Sequence, residues 1–134
     1  MPGYSGTPLP KKLGIKDGAR ARVFDMPAEV RSELKESLAR CQILRDGEAE
    51  ADFMMLFTKS EDELSAKFGQ VAKQLAAAGM LWISWPKKSS GVATDLTEDG
   101  VRGIGLAAGL VDVKVCAVTD VWSGLKFVRR LKDR

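Results

Sequence analysis

The residues best suited to chemistry stand in one short run, Lys87-Lys88-Ser89-Ser90-Gly91, with Asp95 close behind it and Trp122 further along. Two ammonium groups, two hydroxyls and a flexible glycine are donors that can hold a phosphate or a carboxylate. Asp95 could act as a base and Trp122 could line a pocket. Each has a plainer alternative: hydrated loop lysines, an aspartate capping a helix, a tryptophan closing the core. Asp25, at the end of the first strand, is the one carboxylate at the topological centre. No partner for it is identifiable from the sequence, so it is assigned no role.

Absent residue types narrow the chemistry further. The chain has no histidine, so neither a Ser-His nor a Cys-His dyad is possible within it, and no imidazole can ligate a metal. Cys41 and Cys116 cannot make a structural zinc site alone. Their apolar neighbours point to buried, reduced thiols. Gly103-Ile104-Gly105-Leu106-Ala107-Ala108 has the letters of a dinucleotide fingerprint, G-x-G-x-x-A. That fingerprint must follow a strand and open a helix, so that helix N-terminal amides meet the pyrophosphate. Here the glycines fall inside a helix, where close packing on a sheet is the simpler account. No catalytic, cofactor-binding or metal-binding residue is assigned, and the balance is against an enzyme.

The elements that position these residues follow from hydrophobic period and turn chemistry. Residues 1–12 carry three prolines and two glycines, so residues 1–18 read as an extended arm, with the domain running over 19–134. A strand over 19–25, with Ala21, Val23 and Phe24 inward, leads through Pro27 into a helix over 28–40 with the stripe Val30, Leu34, Leu38. A short strand over 41–45 follows. Residues 51–88 carry the strongest signal. An apolar strand over 52–57 precedes a capping box, Ser60-Glu61-Asp62-Glu63, and a helix with the stripe Leu64, Phe68, Val71, Leu75. Gly79 is expected just past that helix, then a strand over 80–85 with Trp82 inward, ended by Pro86. Such a strand–helix–strand unit builds a parallel sheet.

Asp95-x-x-Glu98 reads as a second capping box, opening a helix through Ala108 with Val101, Ile104, Gly105 and Ala108 on its packing face. A strand over 111–118, with Val111, Val113 and Val115 on one side, and another over 125–129 should form an antiparallel edge hairpin. The basic tail Arg129-Arg130-x-Lys132-x-Arg134 reads as a solvated end.

At 134 residues with 45% hydrophobic and 29% charged content, the chain is one globular domain. A net charge of +3, with 18 acidic residues against 21 basic, argues against nucleic acid as a partner. No apolar stretch reaches the length of a membrane span and the N-terminus has no signal-peptide core, so no membrane partner and a cytoplasmic location are expected. A second copy of the chain is a candidate partner, through an edge strand or the glycine-rich helix.

Two resemblances add to this. The order of elements is similar to the core of the Rossmann-like, S-adenosylmethionine-dependent methyltransferases. Leu75-Ala76-Ala77-Ala78-Gly79-Met80-Leu81-Trp82-Ile83 resembles their turn into a central strand, and the last helix and hairpin resemble their terminal elements. The chain departs from that family where Asp25-Met26-Pro27 replaces the glycine-rich cofactor loop, and it is short by one strand–helix unit. It also resembles a family of small bacterial proteins known as a domain of unknown function (3052). The words that carry this are Gly3-Tyr4-Ser5-Gly6-Thr7-Pro8-Leu9, Lys12-Leu13-Gly14-Ile15, Trp85-Pro86-Lys87-Lys88-Ser89-Ser90-Gly91, Thr94-Asp95-Leu96-Thr97, Val113-Lys114-Val115-Cys116-Ala117-Val118 and Trp122-Ser123-Gly124-Leu125-Lys126-Phe127.

Taken together, the sequence predicts an α/β, three-layer Rossmann-like sandwich. It has a mainly parallel six-stranded sheet in the order 2-1-3-4-6-5, an antiparallel edge hairpin and about three helices. The expected function is a non-catalytic binding or interaction domain with a methyltransferase-like fold, no cofactor loop and no cofactor. The alternative is a small-anion or metabolite-binding protein, and a weak enzyme at most, using Lys87, Lys88, Ser89, Ser90, Asp95 and Trp122.

Overall fold

Strands too short and apolar to stand alone, alternating with one-faced helices, must stack into layers to bury both. The computed structural model describes residues 7–45 and 47–134. Strands β1 (Arg20–Phe24), β2 (Gln42–Ile43), β3 (Ala51–Phe57), β4 (Leu75–Pro86), β5 (Leu110–Ala117) and β6 (Trp122–Arg129) are interleaved with helices α1 (Leu9–Leu13), α2 (Ala28–Ala39), α3 (Glu61–Lys73) and α4 (Glu98–Ala107). The sheet order is β2-β1-β3-β4-β6-β5, as the sequence predicts. The first four strands run parallel, and β6 is antiparallel to both of its neighbours.

Alternation along each strand sends successive side chains to opposite faces. Phe53, Met55, Phe57 and Trp82 pack against Leu9 and Leu13 of α1 and Val30, Leu34 and Leu38 of α2. Met54, Leu56, Leu81 and Ile83 pack on the other side, with Leu64, Phe68 and Val71 of α3 and Val101 of α4. Each of these buried side chains contributes about 1.5–3 kcal/mol. Two edge-to-face ring pairs add direction: Phe57 with Trp122 at 5.2 Å between centroids, and Phe68 with Phe127 at 5.4 Å.

Several local expectations need correction. Residues 1–6 of the expected arm lie outside the described residues, but Leu9–Leu13 is a helix whose two leucines are buried. Pro10 fits its first turn, where the missing N–H has no intrahelical partner to lose. Trp82 Nε1 donates to Leu13 O at 2.9 Å, joining this segment to the centre of the sheet. Gly79 does not end α3. That helix stops at Lys73, its last carbonyl-bearing turn held by Arg129, which donates to Ala72 O and Leu75 O. Arg129 therefore ties the end of α3, capped by Gln74, to the start of β4, and is not part of a solvated tail. Gly79 lies within β4, where a Cβ would stand 2.7 Å from Ala51 O, so it is required for a close backbone approach.

Pro86 ends pairing later than expected. The β3 ladder stops at Ser84, but β6 pairs with β4 through Pro86. On β5, the valines do not form a buried face: Val113 is 55% and Val115 50% exposed, because the register shifts between Asp112 and Lys114 and leaves Val113 as a bulge. Ala108 is exposed as well, since α4 ends at Ala107.

Candidate functional site

In an open parallel sheet, ligands settle beyond the carboxyl ends of strands where the strand order reverses. Here the chain moves from β1 to β2 in one direction and then returns to β3 in the other, so the crevice lies between the ends of β1 and β3. A cavity of about 520 Å³ opens there, lined by Asp25, Pro27 and Glu29 after β1, Thr58 after β3, Glu63 on α3 and Trp122 at the start of β6. Trp122 Nε1 donates to Glu29 Oε1 at 3.3 Å, and Thr58 Oγ1 donates to Glu63 Oε1 at 3.5 Å. Lys67 stands 3.3 Å from Glu63 and 3.9 Å from Asp25. Three carboxylates thus face this crevice, and the sequence singled out only Asp25. The signal for Glu29 and Thr58 was position, just past the ends of two central strands.

The turn after β1 decides what this crevice can hold. Asp25 has φ 56°, the left-handed region that favours glycine. Pro27, at the N-cap of α2, has no N–H, and Met26 is buried beside it. Glu29 occupies the first turn of the helix. A phosphate or carboxylate approaching here meets the Glu29 carboxylate beside the first-turn amides, and the Pro27 position adds no N–H, which opposes the usual preference of a helix N-terminus for anions.

The six residues proposed from sequence are not brought together into one site. Lys87 and Lys88 line a second cavity, of about 490 Å³, with Trp85, Thr97, Glu98 and Ser123. Trp122 lines the crevice described above. Ser89 is exposed in a 3₁₀ turn, Lys88–Ser90. Ser90 Oγ donates to Lys87 O and accepts from Val92 N, so it closes its own loop. Asp95 caps a helix, but not the one it precedes: Oδ1 accepts from Glu61 N at 2.8 Å, at the start of α3. The cap of α4 is Thr97, whose hydroxyl accepts from Gly100 N. Thr94 Oγ1 donates to Lys59 O at 2.6 Å, so the loop before α4 is tied down onto the start of α3.

Neither thiol is activated. Burial pushes both Cys41 and Cys116 above the ordinary thiol range, the nearby lysines only partly offsetting this for Cys116. Both are half-buried, and Cys41 Sγ donates to Ser37 O. Among the described residues, no group of three or more Cys, Asp or Glu is placed to hold a metal ion. No helix among them is long and apolar enough to cross a membrane.

A family described as "Protein of unknown function (DUF3052)" matches residues 11–131. No curated protein matches the sequence. In structure the chain is similar to a magnesium protoporphyrin IX methyltransferase (ChlM) from Synechocystis PCC 6803 with bound SAH, at 14% identity and TM-score 0.58, covering 85% of this chain and 75% of that one. It is similar also to a SAM dependent methyltransferase from Aquifex aeolicus, at 17% identity and TM-score 0.58, covering 87% and 85%. A TehB-like SAM-dependent methyltransferase from Corynebacterium glutamicum gives 10% identity and TM-score 0.56, over 91% and 85%. At these identities the likeness is one of fold.

Proposed function

The chain belongs to the DUF3052 family, and on that premise we propose that it is a non-catalytic binding domain, a methyltransferase-like fold without that fold's cofactor loop. The observation that carries this is the turn Asp25-Met26-Pro27. It puts a carboxylate in a left-handed conformation and a proline at the helix N-cap, where a cofactor's anionic end would need glycine and free amides. The lack of histidine supports it, since the commonest general acid–base residue is missing. Two free, unactivated thiols fit a cytoplasmic setting. Titration calorimetry with S-adenosylmethionine should give no binding heat, and labelled S-adenosylmethionine should give no methyl transfer. Measurable turnover by the purified protein would sink the proposal.

A second reading is favoured by one observation. Lys87 and Lys88 line the same cavity as the capped start of α4, the arrangement an anionic metabolite would need. Glu98 and Asp99 share that rim, but both are engaged by Arg102. On this reading Lys87→Ala with Lys88→Ala removes a hit from a thermal-shift screen of phosphorylated and carboxylated metabolites. Self-association is a further part of the proposal, supported by Val113 and Val115 exposed on the edge strand β5, and sedimentation mass tests it.

A further inference from the structure

A charge is buried in this protein without a counter-charge among the described residues. Arg22, in the middle of β1, is 3% exposed. Its Nη1 donates to Gln74 Oε1 and its Nη2 to Arg45 O, both at 2.6 Å, and both acceptors are neutral. Its Nε has no hydrogen-bond partner among the described residues. A guanidinium does not lose its proton in a protein, so the charge persists wherever the side chain is placed. Taking it out of water carries a large cost that neutral acceptors offset only in part. Elsewhere the fold pairs guanidiniums that are far more exposed: Arg20 with Asp52, Arg40 with Asp17, and Arg102 with Glu98, Asp99 and Asp112.

Beside this charge lies a cavity of about 530 Å³. Its floor is apolar, formed by Phe24, Leu56 and Val71, and its rim carries Gln74, Lys67 and Lys73. No acidic side chain is among the described residues that line it. Phe24 shares a strand face with Arg22, two residues away, and Gln74 is the side chain that Arg22 bonds. The guanidinium therefore stands one side chain behind the wall. Topology explains the opening. Among the described residues no helix lies between β2 and β3, and α3 is the helix whose residues line this opening.

We propose that this cavity binds a small organic carboxylate with an apolar body. One buried charge without a counter-charge among the described residues matches a single negative charge, Lys73 and the second N–H of the Gln74 amide, whose nitrogen also donates to Gln70 O, supply direct donors, and Phe24, Leu56 and Val71 take the apolar part. Lys67 is partly neutralised by Glu63 and Asp25, so Lys73 carries more of the rim's attraction. This site borders the turn after β1 through Phe24 and Lys67 but is a separate cavity from the crevice, and it goes beyond the proposal of a cofactor-free binding domain.

Benzoate and hexanoate, each against its neutral amide, with inorganic phosphate as an anion lacking an apolar body, test it by amide NMR titration of the intact chain. The carboxylates should shift resonances of Phe24, Gln70 and Gln74, and the amides and phosphate should not. Arg22→Met should weaken carboxylate binding about tenfold or more and raise Tm, because the buried charge is gone. A strut whose only task is to hold Gln74 and Arg45 would instead lower Tm when replaced. Lys73→Gln, at the surface, should fold normally and also weaken binding, so the idea stays testable if Arg22→Met does not fold. Equal affinity for acids and amides, phosphate binding at the same residues as tightly as benzoate, or unchanged binding in Lys73→Gln would each overturn it. Binding of S-adenosylmethionine would overturn only the cofactor-free proposal.

Discussion

Gly105 of α4 lies flat against the ring of Phe127 in β6, with no room between them for even a methyl group. This contact accounts for half of the apparent dinucleotide fingerprint, because position 105 must be glycine for the helix to approach the sheet. Gly103, the other half, has nothing within reach of a Cβ and is exposed.

The two glycines should accordingly respond in opposite ways. Gly105→Ala forces Phe127 or the helix to move and should cost about 1–3 kcal/mol. Gly103→Ala should stabilise by up to about 1 kcal/mol through helix propensity alone. Urea denaturation midpoints of the two variants would show it, and a neutral Gly105→Ala would contradict the packing account.

Asp25→Gly should stabilise the fold. The left-handed backbone costs a non-glycine residue about 1–2 kcal/mol, against which glycine's extra freedom in the unfolded chain recovers less than 1 kcal/mol. The contact with Lys67 at 3.9 Å is exposed and contributes little. Thermal melts should show a higher Tm. Titration with S-adenosylmethionine should still be silent, because Glu29 keeps a negative charge in the first turn of α2.

Asp95 and Thr97, two residues apart, cap different helices. Asp95→Ala and Thr97→Ala should each cost about 1 kcal/mol. Hydrogen exchange separates them: the first should speed exchange in the opening turn of α3, the second in that of α4. Faster exchange in α4 from Asp95→Ala would restore the local capping box.

Acid stability should depend on two aspartates. A hydrogen bond from Arg102 holds Asp112 below the ordinary carboxylate range, and one from Arg20 does the same for Asp52. Each folded-state pKa lies below the unfolded value of about 3.9, so the stabilisation is complete above that pH and is lost as pH falls through the folded value. The stability difference between wild type and Asp112→Asn should be constant above about pH 5 and shrink toward zero below it. A difference that persists unchanged at the acid end would show that Asp112 acts by something other than its charge.

The parts of the fold legible in the sequence are those where one period dominates. The stripe Val30, Leu34, Leu38 and the apolar run of β3 have only one way to be buried, and Ser60 caps α3 through Glu63 N as its spacing predicts. α1 is hard to read in the sequence because Pro10, with Pro8 and Gly14 flanking the helix, masks the pair Leu9 and Leu13, four residues apart. Arg22 was unreadable for a different reason. Alternation around Ala21 sends it to the far side of β1, and nothing local says that this side is also covered.

What the sequence by itself determined is the alternation of strands and helices, hence the parallel sheet and its order, because local period and chain connectivity leave few ways to stack them. It also determined that the first turn lacks glycine. What only the tertiary structure decided is which polar groups meet: Asp95 with the start of α3, Glu29 with Trp122, and the buried Arg22 beside a cavity with no acid among the described residues that line it. Those pairings join residues 34 to 93 positions apart or set a charge behind a cavity wall, and local spacing carries no information about either.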